Sequence, residues 1–418
     1  MSDYFFSTVR SNRDVIDNLN KKSMINNYIY EDNMLYIMYC CTYNVESYGS
    51  KIIVLFDGVI YDNTKSLQCD VKNYLVKLYL KYGPKFTQYI DGEFSICLID
   101  LNQELCIFST DVFGTRPIYF TVENGNLSLC TYLSVLSNIK GKKVRAKPNT
   151  TYIFNLNSNI LTYNTVYEFS LVQYKNFFDD WNLAFEKSIS KRINGIKSII
   201  PLSSGYDSGA ICCEAIKQKG NFQTISFIGK ENMDILTRRI KLCNNNYIFN
   251  YTKQEYYNVL KNFLKSVERY EDGDYDLIHD ESSIGLGLIC EYAQKQNINI
   301  LISGTGADSI YSYTNRNHYI IEDSINNYCN VFPNDLNGFF PWENFFGGNM
   351  QRYLFQEEYI SKVYNIQIRY PFLDKQLVQE FLWLDTSLKN KLYKSPIQNY
   401  FDKNSFPYDS KNKIGFYI

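Results

Sequence analysis

Residues 201–215 read PLSSGYDSGAICCEA. The apolar run Ser198-Ile199-Ile200 leads into Ser203, Ser204, Gly205 and Asp207, and a helix-like segment follows. A buried strand that stops at small hydroxyl residues and turns into a helix sits where open parallel sheets bind ligands, at a strand's carboxyl end. The helix start offers unpaired N–H groups and the positive end of a dipole, a setting that suits phosphate. Ser203, Ser204 and Ser208 add hydroxyl donors, and Gly205 lets the backbone approach a ligand closely. Asp207 is the odd member. A carboxylate repels phosphate unless a divalent cation lies between them, so Asp207 reads as a Mg2+ ligand. An N-cap ahead of an ordinary helix would use the same residue types. A second loop favours the ligand reading. Leu301-Ile302-Ser303-Gly304-Thr305-Gly306-Ala307-Asp308 is again a strand, small residues and an aspartate at a helix start. Two aspartates at two strand ends of one sheet can share Mg2+ on a pyrophosphate.

Outward from these loops the pattern alternates. An amphipathic helix is expected over Phe177 to Lys191. Strand 197–203, helix 208–219 closed by Gly220, strand 223–228, helix 233–243 and strand 246–250 follow. Helices over 253–268 and 284–296 lead to strand 298–303, and the remainder is mostly helical. Alternating strands and helices predict a parallel sheet under helices. Residues 30–170 read differently. Strand-like runs Lys51 to Phe56, Phe94 to Asp100, Glu104 to Phe108 and Ile118 to Val122 meet turn signals such as Asp57-Gly58 and Asn124-Gly125. Helical periodicity over Val71 to Tyr82 completes an α+β sandwich.

The chain has 418 residues, which favours two domains, divided here as 1–172 and 173–418. A net charge of −1 gives no basis for broad nucleic-acid binding. No apolar run reaches the roughly 20 residues that span a bilayer, and the first residues lack the regions of a signal peptide. The 11 cysteines include no CxxC, so buried reduced thiols in a cytoplasmic protein are expected rather than zinc. With only His279 and His318, sites built on histidine are nearly excluded.

Ser203-Ser204-Gly205-Tyr206-Asp207-Ser208 resembles the SGGxDS pyrophosphate loop of the asparagine synthetase-like ATP pyrophosphatases, with Ser204 for a glycine. Ser303 to Asp308 resembles their SGEGADE loop, with Thr305 in place of glutamate and Ser309 in place of the second acid. Arg369 to Asp374 is similar to their RxPFLD segment and Lys411 to Phe416 to their RxKxGF segment. In the first half, Asp57-Gly58-Val59-Ile60-Tyr61-Asp62 resembles NGEIYN, Asp91 to Ser95 resembles DGxFAF, and Asp111 to Tyr119 resembles RDRFGxKPLYY. These blocks occur in family order along nearly the whole chain.

The resemblance implies an N-terminal α+β sandwich of the Ntn-hydrolase-like glutaminase type. An α/β parallel-sheet ATP pyrophosphatase domain with a helical C-terminal part would follow. It implies an ATP-dependent ligase that adenylates a carboxylate and transfers ammonia or an amine to it. ATP would lie on Leu202, Ser203, Ser204, Gly205, Tyr206, Asp207, Ser208, Phe227, Ser303, Gly304 and Gly306, with Mg2+ on Asp207 and Asp308. Lys413, with Lys411 as the fallback, would neutralise charge in the adenylation transition state.

The departures matter as much. The family's glutaminase uses an N-terminal cysteine and an asparagine that helps to stabilise the oxyanion; this chain has Ser2 and Asp57 there. A hydroxyl is a weaker nucleophile than a thiol, and a carboxylate has the wrong sign beside an oxyanion. Loss of glutaminase activity is therefore expected, and the retained DGEFS and FGTRPIY segments are read as packing. Thr305 and Gln367 stand where relatives carry groups that activate the nucleophile, and neither is a base at neutral pH. Glu271, Asp272, Asp276, Asp280 and Glu281 are other candidates, in a segment that also reads as a solvated acidic loop. The partners implied are a small-molecule or peptide carboxylate and ammonia or an amine, with homodimerisation left open. An intramolecular cyclase of the β-lactam or lasso type and an inert nucleotide-binding homologue are the alternatives.

Overall fold

A computed structural model of the chain describes residues 3–8, 27–31, 36–40, 52–61, 71–229, 231–266, 268, 281–312 and 331–410. It divides into two compact units, Met1–Glu168 and Phe169–Ile418.

The first unit is a sandwich of two antiparallel sheets. One runs β2 (Asn27–Glu31), β3 (Tyr36–Cys40), β1 (Asp3–Ser7), β8 (Asn126–Cys130), β7 (Tyr119–Glu123) and β9 (Val144–Arg145). The other runs β11 (Leu161–Thr165), β10 (Thr150–Asn155), β6 (Leu105–Thr110), β5 (Gly92–Asp100) and β4 (Ile52–Ile60). Alternate residues of β5 explain its unbroken apolar run. Cys97 and Ile99 join Tyr4, Phe6, Phe120 and Leu129 in the core between the sheets. Phe94, Ile96 and Leu98 point the other way, onto Leu75, Val76 and Tyr79 of helix α1 (Val71–Tyr82). A strand buried on both faces shows no polar alternation.

The second unit holds a five-stranded parallel sheet in the order β14 (Asn246–Phe249), β13 (Phe222–Phe227), β12 (Ser198–Pro201), β15 (Ile300–Ile302), β16 (Gln367–Arg369). From β12 the chain builds outward to β13 and β14, then returns to place β15 on the other side of β12. The strand order therefore reverses between β12 and β15. In open parallel sheets ligands bind at such a reversal, beyond the strands' carboxyl ends.

The helices are α2 (Asp179–Ile193), α3 (Tyr206–Lys217), α4 (Met233–Leu242), α5 (Lys253–Ser266), α6 (Glu281–Lys295), α7 (Ala307–Tyr311), α8 (Glu343–Phe346), α9 (Gly348–Val363), α10 (Lys375–Trp383), α11 (Thr386–Lys389) and α12 (Ser395–Asn404). Helices α2 and α12 pack on α3, and α6 and α9 pack on each other.

Two local expectations shift. Helix α3 starts at Tyr206 rather than at residue 208, because Gly205 is already extended at its N-cap. Asp207 therefore lies in the first helical turn. The left-handed residue at the helix end is Lys219, with φ 52°, rather than Gly220. Gly220 instead sits close against Ile193, where a β-carbon would come within 2.9 Å of Cδ1.

Candidate functional site

The two loops of the sequence reading meet at the reversal. They approach so closely that a β-carbon on Gly304 would lie 2.8 Å from Asp207 Cβ. Gly306 takes φ +100° ahead of α7, a conformation that favours glycine, and Leu373 fills the space beside it.

Within the first loop the hydroxyls organise the backbone. The Ser203 N–H donates to Ser208 Oγ at 3.1 Å, the two hydroxyls lie 2.7 Å apart, and the Gly205 N–H donates to Ser203 Oγ at 3.1 Å. Arg239 of α4, fully buried, clamps the turn from outside: Nη1 donates to the carbonyls of Ser203 and Gly205 at 2.6 and 2.7 Å. Burial pulls its pKa down to about 10, so it stays charged at neutral pH. Nε donates to the Pro407 carbonyl, tying the loop to the chain's late segment.

Ser204 faces elsewhere. Its N–H donates to Glu231 at 2.6 Å, its hydroxyl also binds that carboxylate, and it accepts from the Asn232 N–H at 3.1 Å. Tyr206 turns its ring into a cluster with Tyr393, Phe401 and Tyr408 and donates its hydroxyl to the Asp409 carbonyl. Only its backbone is placed to serve a ligand. Leu202 is buried and donates its N–H to the Ile225 carbonyl, and Phe227 ends β13 against Phe249.

Asp207 and Asp308 converge on a residue that sequence reasoning missed. Lys394 Nζ lies 2.5 Å from Asp207 Oδ1 and 2.9 Å from Asp308 Oδ1. The Tyr393 hydroxyl donates to Asp308 Oδ1 at 2.5 Å. Lys394 is only 2% exposed, whereas the aspartate side chains keep 26% and 52% of their surface. Burial alone would lower the Lys394 pKa, but the two carboxylates outweigh it and hold it above the ordinary lysine value. Burial and then Asp308 push the Tyr393 phenol well above its usual value. Lys394 adopts φ 47°, a left-handed conformation, immediately before α12. Strained backbone of this kind concentrates at functional sites. One sequence signal was available. A lysine just before a helix start faces the positive end of the dipole, which favours an anionic partner nearby.

The second loop has its own carboxylate, also missed. Glu357 on α9 accepts from Ser303 Oγ and from Thr305 Oγ1, both at 2.7 Å, and the Thr305 N–H donates to Ser303 Oγ. Burial raises its pKa to about 7, against the opposing hydrogen bonds of Thr305, Ser303 and Tyr370. Gln367 is not brought to this loop. It opens β16 opposite Ile300, two residues before the strand end, and its Oε1 accepts from Arg369. Lys411, Lys413, Ser2, His279, His318 and residues 271–280 lie outside the described residues, as does the side chain of Glu281.

Among the described residues no three Asp, Glu, His or Cys side chains gather to hold a metal. Asp207 and Asp308 still suit Mg2+. They are hard oxygen donors that converge on one ammonium and keep solvent contact, and Mg2+ uses one or two carboxylates beside waters and substrate phosphates. In the first unit Asp57 is buried within β4, next to Gly58, whose φ of +128° favours glycine and where a β-carbon would fall 2.0 Å from the Glu93 carbonyl oxygen. Cys97, Cys106, Cys130, Cys212, Cys213, Cys243 and Cys290 are free thiols, and no described helix is long and apolar enough to cross a membrane.

Fold and site together define a protein with an amidotransferase-type sandwich and a parallel-sheet domain whose strand-end loops suit phosphate. Residues 46–174 match the glutamine amidotransferase domain, and residues 184–327 match asparagine synthase. The two matched domains, in this order, make the chain similar to the asparagine synthetases. It is 21% identical over 338 residues to a putative glutamine-hydrolyzing asparagine synthetase of Methanocaldococcus jannaschii, covering 71% of this chain and 57% of that protein. It is 23% identical to the mouse glutamine-hydrolyzing asparagine synthetase over 281 residues, 56% of this chain and 48% of that protein. The chain thus spans about half the length of the curated relatives it matches. A solved structure of the allosteric regulatory enzyme of purine biosynthesis aligns with 9% identity and a TM-score of 0.33, over 68% of this chain and 88% of that one.

Proposed function

We propose that the chain is an ATP-dependent amide-forming ligase that adenylates a carboxylate and passes an amine to it, without hydrolysing glutamine. The observation that carries this reading is the pair of strand-end aspartates, Asp207 and Asp308, closed over one buried ammonium at the point where strand order reverses.

In this reading the substrate carboxylate attacks the α-phosphorus of ATP, pyrophosphate leaves, and the amine displaces AMP from the acyl group. The first turn of α3, with the Ser203 and Ser208 hydroxyls, faces the pyrophosphate, and Lys394 offsets its charge from the protein side. Asp207 and Asp308 would hold Mg2+, which supplies the positive charge that lets carboxylates face phosphate oxygens. Lys413, with Lys411 as fallback, is carried from the family resemblance for the transition-state charge. Asp57 supports the absence of glutamine hydrolysis: a buried carboxylate replaces the asparagine expected beside the oxyanion, and it opposes the charge that develops there. The M. jannaschii and mouse relatives carry glutamine hydrolysis in their names, so on this point the chain would differ from them.

Pyrophosphate release, measured with ATP, Mg2+, ammonium and a panel of acids, tests the proposal. The unsubstituted chain should release pyrophosphate with at least one acid, with no gain from glutamine in place of ammonium. Asp207→Ala should lose it by roughly 10²-fold or more, as loss of a transition-state charge partner does. Full release by Asp207→Ala would overturn the assignment of the site.

A further inference from the structure

The reaction needs a group to take a proton from the attacking amine, and neither Thr305 nor Gln367 is a base. We infer that Glu357 is the proton acceptor for amide formation, reached through the Thr305 hydroxyl. The inference rests on the ligase reading above and adds the residue that serves its second half.

The geometry carries it. Glu357 comes from α9, more than fifty residues after the loop it serves, and its Oε1 receives both Ser303 Oγ and Thr305 Oγ1 at 2.7 Å. Those hydroxyls belong to the turn between β15 and Asp308, so the carboxylate stands behind the loop that closes the site. Its other oxygen, Oε2, is buried, and the Tyr370 phenol also bears on this carboxylate. A carboxylate held this deep in the fold costs stability in its charged form, and burial of Glu357 raises its pKa accordingly. Ionisation near neutral pH suits a base that must both accept and release a proton, and burial moves Glu357 in that direction.

The step balances as follows. The amine lone pair forms the new C–N bond, and the acyl C–O bond to AMP breaks, its electron pair leaving with AMP. The nitrogen then carries one surplus proton. The Thr305 hydroxyl accepts that proton as it passes its own to Glu357 Oε1, and Glu357 later releases it to water. No oxidant, reductant or second co-reactant is required.

The test compares the unsubstituted chain with Glu357→Gln, Thr305→Val and Thr305→Ser, in two assays run with the same panel of amino, hydroxy and dicarboxylic acids. Acid-dependent exchange of labelled pyrophosphate into ATP reads the first half-reaction. Amide formation from ammonium, against hydroxamate formation from hydroxylamine, reads the second. Hydroxylamine forms an adduct acidic enough to shed its proton to water. Glu357→Gln and Thr305→Val should keep pyrophosphate exchange within a few-fold and lose ammonium-dependent amide formation by roughly 10²-fold or more. They should retain hydroxamate formation, and Thr305→Ser should restore the ammonium reaction. Unchanged amide formation by Glu357→Gln, or an equal loss of exchange, overturns the inference while leaving the ligase reading in place. Failure of the unsubstituted chain to exchange pyrophosphate with any acid overturns both.

Discussion

The Ser204 hydroxyl is committed to the Glu231 carboxylate and to the Asn232 N–H, so it ties the phosphate-type loop to the segment after β13. That accounts for a serine where the family's loop has glycine. Ser204→Gly should leave ATP affinity within a few-fold and lower stability by about 1–2 kcal/mol, since the Glu231 carboxylate loses one of its two donors at residue 204 and the Asn232 N–H loses its acceptor. Calorimetric titration and urea unfolding measure the two. A large loss of affinity would mean that the hydroxyl touches nucleotide. At this scale the sequence was a partial guide. Asp207, Ser203, Ser208 and Asp308 were legible because their spacing at strand ends is local. Lys394 and Glu357 were not, because each reaches its partner across a long separation, 187 residues from Lys394 to Asp207 and 52 from Thr305 to Glu357. Gln367 was singled out because it stands where relatives carry an activating group; its parallel pairing with Ile300 and its bond from Arg369, both set in three dimensions, could not be read from that position.

At the scale of elements, the site depends on β12 and β15 delivering two loops to contact distance. Gly304 is where that contact is tightest. Gly304→Ala places a methyl group 2.8 Å from Asp207 Cβ, and either loop must move. ATP affinity should fall roughly tenfold, which corresponds to about 1.4 kcal/mol, while the sheet core stays intact. Unchanged affinity would show that the two loops do not act on one ligand. The strands flanking the first loop were readable from apolar runs and the helix between them from periodicity. The start of α3 was less readable, since the extended conformation of Gly205, not a change in polarity, fixes it. In the sandwich, β5 was legible as a strand, but its two buried faces were not, because burial on both sides erases the alternation that tells inside from outside.

On the whole-molecule scale, the change from hairpin-rich to alternating pattern near residue 175 announced two kinds of architecture, and the chain divides into units at Glu168 and Phe169. The strand order of the parallel sheet was not readable, since it follows from which neighbour each strand finds in three dimensions. Yet that order, 3-2-1-4-5 in the unit's own sequence of strands, sets the two loops side by side. In the proposed function this reversal point holds one nucleotide on Asp207, Asp308 and Lys394. Isothermal titration of the full chain with Mg-ATP tests it most directly, run beside Lys394→Met. One binding site on the unsubstituted chain, weakened at least tenfold by Lys394→Met in a variant that remains folded by circular dichroism, is the predicted result. No binding heat at millimolar Mg-ATP, or equal affinity in the folded variant, would contradict it.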